Sequence, residues 1–234
     1  MSAPVKPRRR YDSSRRQEQA RHNRWAILQA ARQLFLERGF AATTMPAIAA
    51  AAGVSVQTVY KAFGNKARLA RAMFDVAMAG DDEPVPMLQR ASLGRVRDEP
   101  DARAKFRLYG EFLAEVAPRH VPVQLVIRDA ATSDPEAREA WAQLQAERLK
   151  GMTLFARALH DDVQLRPGVS ANEARDVLWT YNSAELFQLL VLERGWSPKR
   201  YGRWIAAGLI SALLPDPGEA ATASPADPRP RRRG

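Results

Sequence analysis

The segment TTMPAIAAAAGVSVQTVYKAFGNKARL, residues 43–69, constrains the fold more tightly than any other part of the chain. It predicts two short helices joined by a tight turn, with a third helix starting just after. Ala49 is small enough for the second of these helices to cross close by. Gly53 can take a positive φ at the turn at little steric cost. Val59 is placed to pack the second helix back onto the first. Three polar residues fit the helix starts. Thr44 can cap the first helix, with Pro46 in its first turn where a missing N–H costs nothing; Ser55 can cap the second and Asn65 the third. The side chains left facing outward on the middle helix are Gln57, Thr58 and Lys61, a composition suited to the major groove of DNA. The plain alternative is a compact helical hairpin in some other all-α protein.

Charge supports a polyanionic partner. Residues 1–79 hold 14 Lys/Arg against 4 Asp/Glu, residues 80–227 hold 18 against 22, and residues 228–234 add four Arg. Basic charge is therefore concentrated on the half that carries the turn and at the very end, whereas surface arginines serving only solubility need no such asymmetry. The chain has no Cys, which removes disulfides, thiolate metal sites and Cys nucleophiles. His22, His120 and His160 fall in separate segments, so no histidine metal cluster is expected. A phosphate-binding GxxxxGK, a G-x-S-x-G elbow and an H-E-x-x-H are all missing, so no enzyme, catalytic residue, metal or cofactor is expected. No apolar stretch follows the arginine-rich start as a secretory signal would need, and no run approaches the roughly 18 apolar residues of a membrane span. The expectation is a cytoplasmic protein with no membrane partner.

The whole chain reads as all-α. Residues 1–22, with few apolar side chains, read as a disordered basic arm able to lie on phosphates or reach into a minor groove, or simply to stay solvated. Residues 23–79 form a three-helix helix-turn-helix domain followed by a fourth helix leading out of it. Ile27, Leu28, Ala31, Leu34 and Phe35 recur at helical spacing in the first helix, residues 24–38, which Gly39 closes. Residues 80–214 form a larger helical domain with helices at about 87–96, 101–117, 120–132, 135–160, 171–194 and 198–214. Its breaks fall at Pro100, Pro118, Pro135, Pro167-Gly168 and Pro198. Residues 215–234, rich in Pro, Ala and Arg, read as a disordered tail.

The elements ILQAARQLFLERGF and ATTMPAIAAAAGVSVQTVYKAFGNKARL, from about Asn23 to Ala79, resemble the DNA-binding domain of the TetR (tetracycline-repressor-like) family of bacterial transcription regulators. The shared pattern is a first helix ending in phenylalanine and glycine, a Thr-Thr cap, an IA-x-x-AGVS turn, and T-x-Y-x-x-F before a Gly-Asn-Lys cap. Met45-Pro46-Ala47 replaces a more polar first turn, and Ala62 stands where His is common. ERGWSPKRYGRWIAAGLISALL is similar to the end of many family members. The resemblance implies a sequence-specific regulator, a repressor released from its operator by a small-molecule inducer, nucleoid-associated when bound. It implies that Tyr60 and Lys66 hold phosphates and that Thr44 does so through its hydroxyl or its helix N-terminus. The expected DNA-binding set is Thr44, Ser55, Val56, Gln57, Thr58, Tyr60, Lys61 and Lys66. Gln57 can pair with adenine and the Thr58 methyl can touch a thymine methyl.

The resemblance also implies a homodimer on a pseudo-palindromic double-stranded operator. Leu178, Tyr181, Leu186, Leu189, Leu190, Ile205, Leu209, Ala212 and Leu213 offer broad apolar faces for it, with Gly202 and Gly208 allowing close helix approach. It further implies an inducer pocket among the helices between 87 and 194. Phe106, Tyr109, Phe112, Trp141, Phe155, Trp179 and Tyr181 are candidate walls; Arg128, Asn182 and Glu185 are candidate polar contacts. Two rival readings remain at this point: a non-specific nucleoid-type binder, which both arginine-rich ends favour, and an activator with the same fold.

Overall fold

The computed structural model describes residues 11–81, 83, 85, 87–162 and 164–216, and every regular element among them is helical. The ends of the arginine-rich arm and tail, residues 1–10 and 217–234, lie outside the described residues. In chain order the helices are α1 (Tyr11–Ala42), α2 (Met45–Ala52), α3 (Val56–Phe63), α4 (Lys66–Ala79), α5 (Ala91–Asp98), α6 (Ala102–Ala130), α7 (Pro135–Asp161), α8 (Ala171–Tyr181), α9 (Ala184–Phe187) and α10 (Pro198–Leu213). A 3₁₀ turn, Met87–Gln89, precedes α5, and a π-helical turn, Gln188–Glu193, continues α9. None of the described helices is long and apolar enough to cross a membrane.

The described residues form two compact units. One comprises those up to Met87 together with Glu115–Ala146; the other comprises Leu88–Ala114 and those from Glu147 onward. The chain passes between them within α6 and again within α7. In the first unit Ile27, Leu28, Ala31 and Phe35 of α1, Ile48 and Ala49 of α2, Val59 of α3 and Leu69 of α4 are all buried in one cluster. Val123 and Ile127 of α6 and Leu144 of α7 close that cluster. The helical spacing of the apolar residues in α1 therefore does what it predicts: it lays one stripe against the other helices of its unit.

Four elements depart from their predicted limits. First, α1 starts at Tyr11, so residues 11–22 are helical, not disordered; Gly39, at φ 75° and ψ 173°, does end the regular helix after Arg38. Second, α6 runs unbroken through Pro118 and Pro122. An interior proline costs about 3 kcal/mol through its lost N–H and its ring. Here Val116, Ala117, Val121 and Val123 are buried on either side; three Val side chains at about 1.5–3 kcal/mol each are of the same size as the cost of the two prolines, so packing offsets the local preference. Third, the predicted helix 171–194 is divided at Asn182, which caps the end of α8. Ser183 accepts a hydrogen bond from the Leu186 N–H and opens α9. Fourth, helix 87–96 is a 3₁₀ turn followed by α5 from Ala91.

In the second unit α10 crosses α6 at two glycines. A Cβ on Gly110 would overlap the carbonyl oxygen of Gly202, and a Cβ on Gly202 would overlap that of Gly110. Gly202 thus serves packing within the chain, and Gly208 likewise leaves room for the Tyr181 ring. Tyr201, Ile205, Leu209 and Leu213 are buried in the same way. Replacing Gly202 by Ala should destabilise the protein by about 2 kcal/mol, a fall in Tm of roughly 4–8 °C for a chain of this size. Gly151, which sits within α7 with nothing near its missing Cβ, is the control. Gly151→Ala should raise stability by about 0.5–1 kcal/mol. Equal thermal shifts in the two variants would remove the glycine crossing as a constraint.

His120 is buried on α6, its Nδ1 2.9 Å from the Val116 carbonyl oxygen and its ring edge-on to Phe74 of α4. Burial pushes its pKa down to about 4, with the nearby Arg119 acting in the same direction. The unfolded chain binds the proton near its ordinary value, about 6.5. Between those two values the unfolded state holds more protons, so His120 contributes stability that is lost as pH falls through this window. Tm followed from pH 7 to pH 4 should fall less steeply for His120→Phe than for the natural chain; identical slopes would exclude the contribution.

Candidate nucleic-acid interface

The helix-turn-helix is built by local hydrogen bonds at every junction. The Ala47 N–H donates to Thr44 Oγ1 at 3.2 Å, the Thr58 N–H to Ser55 Oγ at 3.1 Å and the Arg68 N–H to Asn65 Oδ1 at 2.8 Å. Each satisfies an N–H that the first turn of a helix leaves without a partner. Gly53 ends α2 in the left-handed region, φ 67° and ψ 30°, and its N–H and that of Val54 return to the Ala49 and Ala50 carbonyls. Only a residue without a Cβ takes this conformation at little cost, so the angle between α2 and α3 depends on Gly53.

This frame sorts the residues of α3 by face. Val59 and Phe63 are buried in the core of the unit. Gln57, Tyr60 and Lys61 are exposed, Tyr60 to 49%. A large aromatic held half in solvent on a short helix contributes little to a core. Val56 and Thr58 are partly buried, and the Ser55 and Thr58 hydroxyls lie 2.8 Å apart, either one able to donate. Thr44 is exposed at the start of α2. Thr44, Ser55, Gln57, Tyr60 and Lys61 are thus all exposed, the first two at the starts of α2 and α3 and the others along α3.

Lys66 is placed differently. Its Nζ donates to the Phe40 carbonyl at 2.8 Å and to the Thr43 carbonyl at 3.1 Å, and it lies 4.1 Å from the centre of the Phe40 ring. Partial burial lowers its pKa, opposed by the charge of Asp134. Two of its three protons are thus directed into the corner between α1 and α2. Thr43 completes that corner from inside: its buried hydroxyl lies 2.8 Å from the Gly39 carbonyl oxygen and 3.1 Å from that of Leu34. The Thr-Thr pair therefore divides its work, with Thr43 closing α1 and Thr44 opening α2.

The residues expected at an inducer pocket fall into both units. Phe106, Tyr109, Phe112, Phe155, Trp179 and Asn182 belong to the second. Phe155 lies 5.7 Å from Phe106 and 5.3 Å from Tyr109, ring centre to ring centre, and Tyr109 lies 6.3 Å from Phe112. The Asn182 side-chain amide donates to the Tyr109 hydroxyl, and burial pushes the phenol up to about 12. Arg148, which has no local sequence signal, joins this set: Nη1 donates to the Asn182 carbonyl at 2.8 Å and the guanidinium lies 4.2 Å from the centre of the Trp179 ring. Its Nε is buried with no hydrogen-bond partner among the described residues. Trp179 itself is 36% exposed. Arg128 and Trp141 lie in the first unit, where Arg128 pairs with Asp129 and Trp141 packs against the helix-turn-helix core.

The family model described as bacterial regulatory proteins, tetR family, matches residues 27–73. The HTH-type transcriptional regulator TtgR of Pseudomonas putida is 29% identical over 184 residues, which is 76% of this chain and 85% of that protein. Among solved structures, NalD of Pseudomonas aeruginosa, the secondary repressor of the MexAB-OprM multidrug efflux pump, superposes with a TM-score of 0.63 at 23% identity, covering 84% of this chain and 99% of that one. FadR of Bacillus subtilis in complex with stearoyl-CoA does so with a TM-score of 0.64 at 19% identity, covering 80% and 97%. These two share its fold, and the match over residues 27–73 falls on the caps, the turn and the outward face of α3. Residues 27–73 match the helix-turn-helix of the tetR-family model, and over most of its length the chain is similar to a DNA-binding transcription regulator.

Proposed function

We propose that this protein is a dimeric repressor that reads a pseudo-palindromic operator through α3 and is released from it by a small molecule bound among the helices of its second unit. The observation that carries the DNA-reading part is the outward face of α3. Gln57, Tyr60 and Lys61 stand exposed on a helix whose angle is set by Gly53 and whose start is fixed by Ser55. Gln57 is the base-reading residue. Thr58 offers a methyl to thymine, and Lys61, one turn after Gln57, reaches a guanine or a phosphate. Tyr60 and Thr44 donate to phosphates on either side, with Ser55 and Val56 lining the entry of the helix into the groove.

Dimerisation follows from the limited reach of one helix-turn-helix. Among the apolar residues expected at the interface, Leu189 is 51% exposed; Leu192, also 51% exposed, and Trp204 on α10, 37% exposed, lie outside that expected set and join it. These three, with the partly buried Leu186, Leu190 and Ala212, are the surface offered to a second copy. Leu178, Ile205, Leu209 and Leu213 are fully buried within the chain. The effector reading rests on the polar set Tyr109, Asn182 and Arg148 inside an aromatic cluster, a composition that takes an apolar ligand bearing a hydrogen-bond acceptor. The relatives add weight to it: NalD represses an efflux pump and FadR was solved with stearoyl-CoA.

Selection of bound duplexes from a random pool at physiological salt tests the operator reading. A palindrome with half-sites about one helical turn apart is expected; a pool that stays random would sink it. On the selected site, Gln57→Ala should cost about 1–3 kcal/mol and relax the preference at one base pair of each half-site. Uniform weakening across all sequences would instead make Gln57 a phosphate contact.

Lys66→Ala distinguishes two roles. If the corner contact dominates, Tm falls, by an amount corresponding to about 1–3 kcal/mol for carbonyls left without a partner, while the salt dependence of DNA binding is kept. If the third proton of Lys66 holds a phosphate, the slope of log K against log salt drops by about 0.9 for each subunit bound. We expect the first outcome.

A further inference from the structure

The N-terminal part of α1 is a helix without a core to lie on. Residues 15–22 are all exposed, and the buried stripe of α1 begins only at Ile27. This extension grows from a helix already nucleated on the core, so its order is inherited and its surface is left to solvent. Its sequence indicates what that surface suits. Residues 1–24 carry eight Lys/Arg against Asp12 and Glu18.

The charges are sorted by face. Helical residues separated by seven or eleven positions lie almost on one line, because each residue turns the helix by about 100°. Arg21 stands seven residues before Leu28, Arg24 seven before Ala31 and Arg16 eleven before Ile27. These three arginines therefore continue the very face that α1 buries against the core, carried past the point where the core ends. Glu18 lies on the line of Trp25 and Gln29, and Arg15 on the line of His22 and Gln29, all exposed positions of the other face, Trp25 at 40%. A face that is apolar from Ile27 onward and basic before it has exchanged one partner for another.

Arg24 shows where the basic stripe lies. Its guanidinium sits 4.8 Å from the centre of the Phe63 ring, and Phe63 is the last residue of α3. The stripe thus leaves the unit beside the C-terminal end of the DNA-reading helix. We propose that Arg16 and Arg21, which flank the line of Arg24 on that face, form a pre-ordered helical arm that contacts the phosphates flanking the half-site read by α3. This rests on the DNA-reading assignment of α3 made above. The partner is double-stranded DNA, recognised by its backbone charge and not by its bases.

The test compares two variants of equal charge change in the full chain, Arg21→Gln and Arg15→Gln. The salt dependence of binding is measured on the selected operator and on a random-sequence duplex of the same length. Each lost phosphate contact lowers the slope by about 0.9, so Arg21→Gln in a dimer should lower it by about two. Arg15→Gln, on the opposite face, should change it by less than half as much, and Arg21→Lys should restore it. Equal changes in the two Gln variants would mean that the arm acts only by its net charge, and no change in either would mean that it stays off the DNA; both results overturn the proposal. The random duplex keeps the two readings apart. If selection yields no palindrome, the operator reading fails, while the difference between Arg21→Gln and Arg15→Gln on the random duplex still decides the arm.

Discussion

The corner between α1 and α2 is the constraint on which the DNA-reading half depends. A helix that ends inside a domain leaves carbonyls that water cannot reach, and a buried carbonyl without a partner costs about 1–3 kcal/mol. Here two side chains satisfy four of them. Thr43 shares its hydroxyl proton between the Leu34 and Gly39 carbonyls, and Lys66 reaches those of Phe40 and Thr43 from the start of α4. One residue of the corner is thus local and the other is brought from across the unit. The ammonium also lies over the Phe40 ring, itself stacked on Phe35 at 5.5 Å. The first turn of α4, the end of α1 and the start of α2 are joined at one point, so α3, hung between α2 and α4, has little freedom to tilt.

The other end of α4 is held by the same chemistry. Arg119 on α6 donates to the Ala77 carbonyl at 3.2 Å, and its guanidinium covers Gly80, where the helix ends in the left-handed region. A cation near a helix C-terminus also meets the negative end of its dipole. α4 is thus tied at one end to the corner of the helix-turn-helix and at the other to α6, and its buried face, Leu69, Ala70 and Met73, packs on the core between them.

How much of this was legible in the sequence depended on the range of each interaction. The caps at Thr44, Ser55 and Asn65 and the turn at Gly53 are made within three or four residues, and reading them in order was enough to place α2, α3 and the start of α4. Lys66 carried no such signal, because its partners lie 26 and 23 residues away. A lysine at this helix start reads as a phosphate ligand, and its two carbonyl acceptors add a structural role that spacing does not show. Pro118 misled for the opposite reason: its local preference is strong, but the burial of its neighbours offsets it. Gly202 reads from the sequence as a site of close helix approach, but that it meets Gly110 of the same chain, not a second copy, is set by long-range packing. Arg148 left none, for arginine on a helix is ordinary until its Nε is found buried.

The second unit narrows the dimer surface by using up residues that could have formed it. An apolar face on a terminal helix can complete its own core or meet a second copy, and the pattern of apolar residues is the same in both cases. The glycine crossing resolves this for α10. Because Gly202 brings α10 into backbone contact with α6, the line through Tyr201, Ile205, Leu209 and Leu213 is turned inward, and Trp204 is left on the outer face. The π-helical turn acts in the same direction. Its wider winding, with the Arg194 N–H returning to the Leu189 carbonyl, shifts the side chains relative to an α-helix, and both Leu189 and Leu192 come to lie half exposed. Two leucines and a tryptophan held out by a glycine contact and a rare winding are costly to leave in water, about 25 cal/mol for each Å² of apolar surface. The same patch on a second copy would cover them, and this makes the exposed residues of α10 and the π turn the surface the proposed dimer would use.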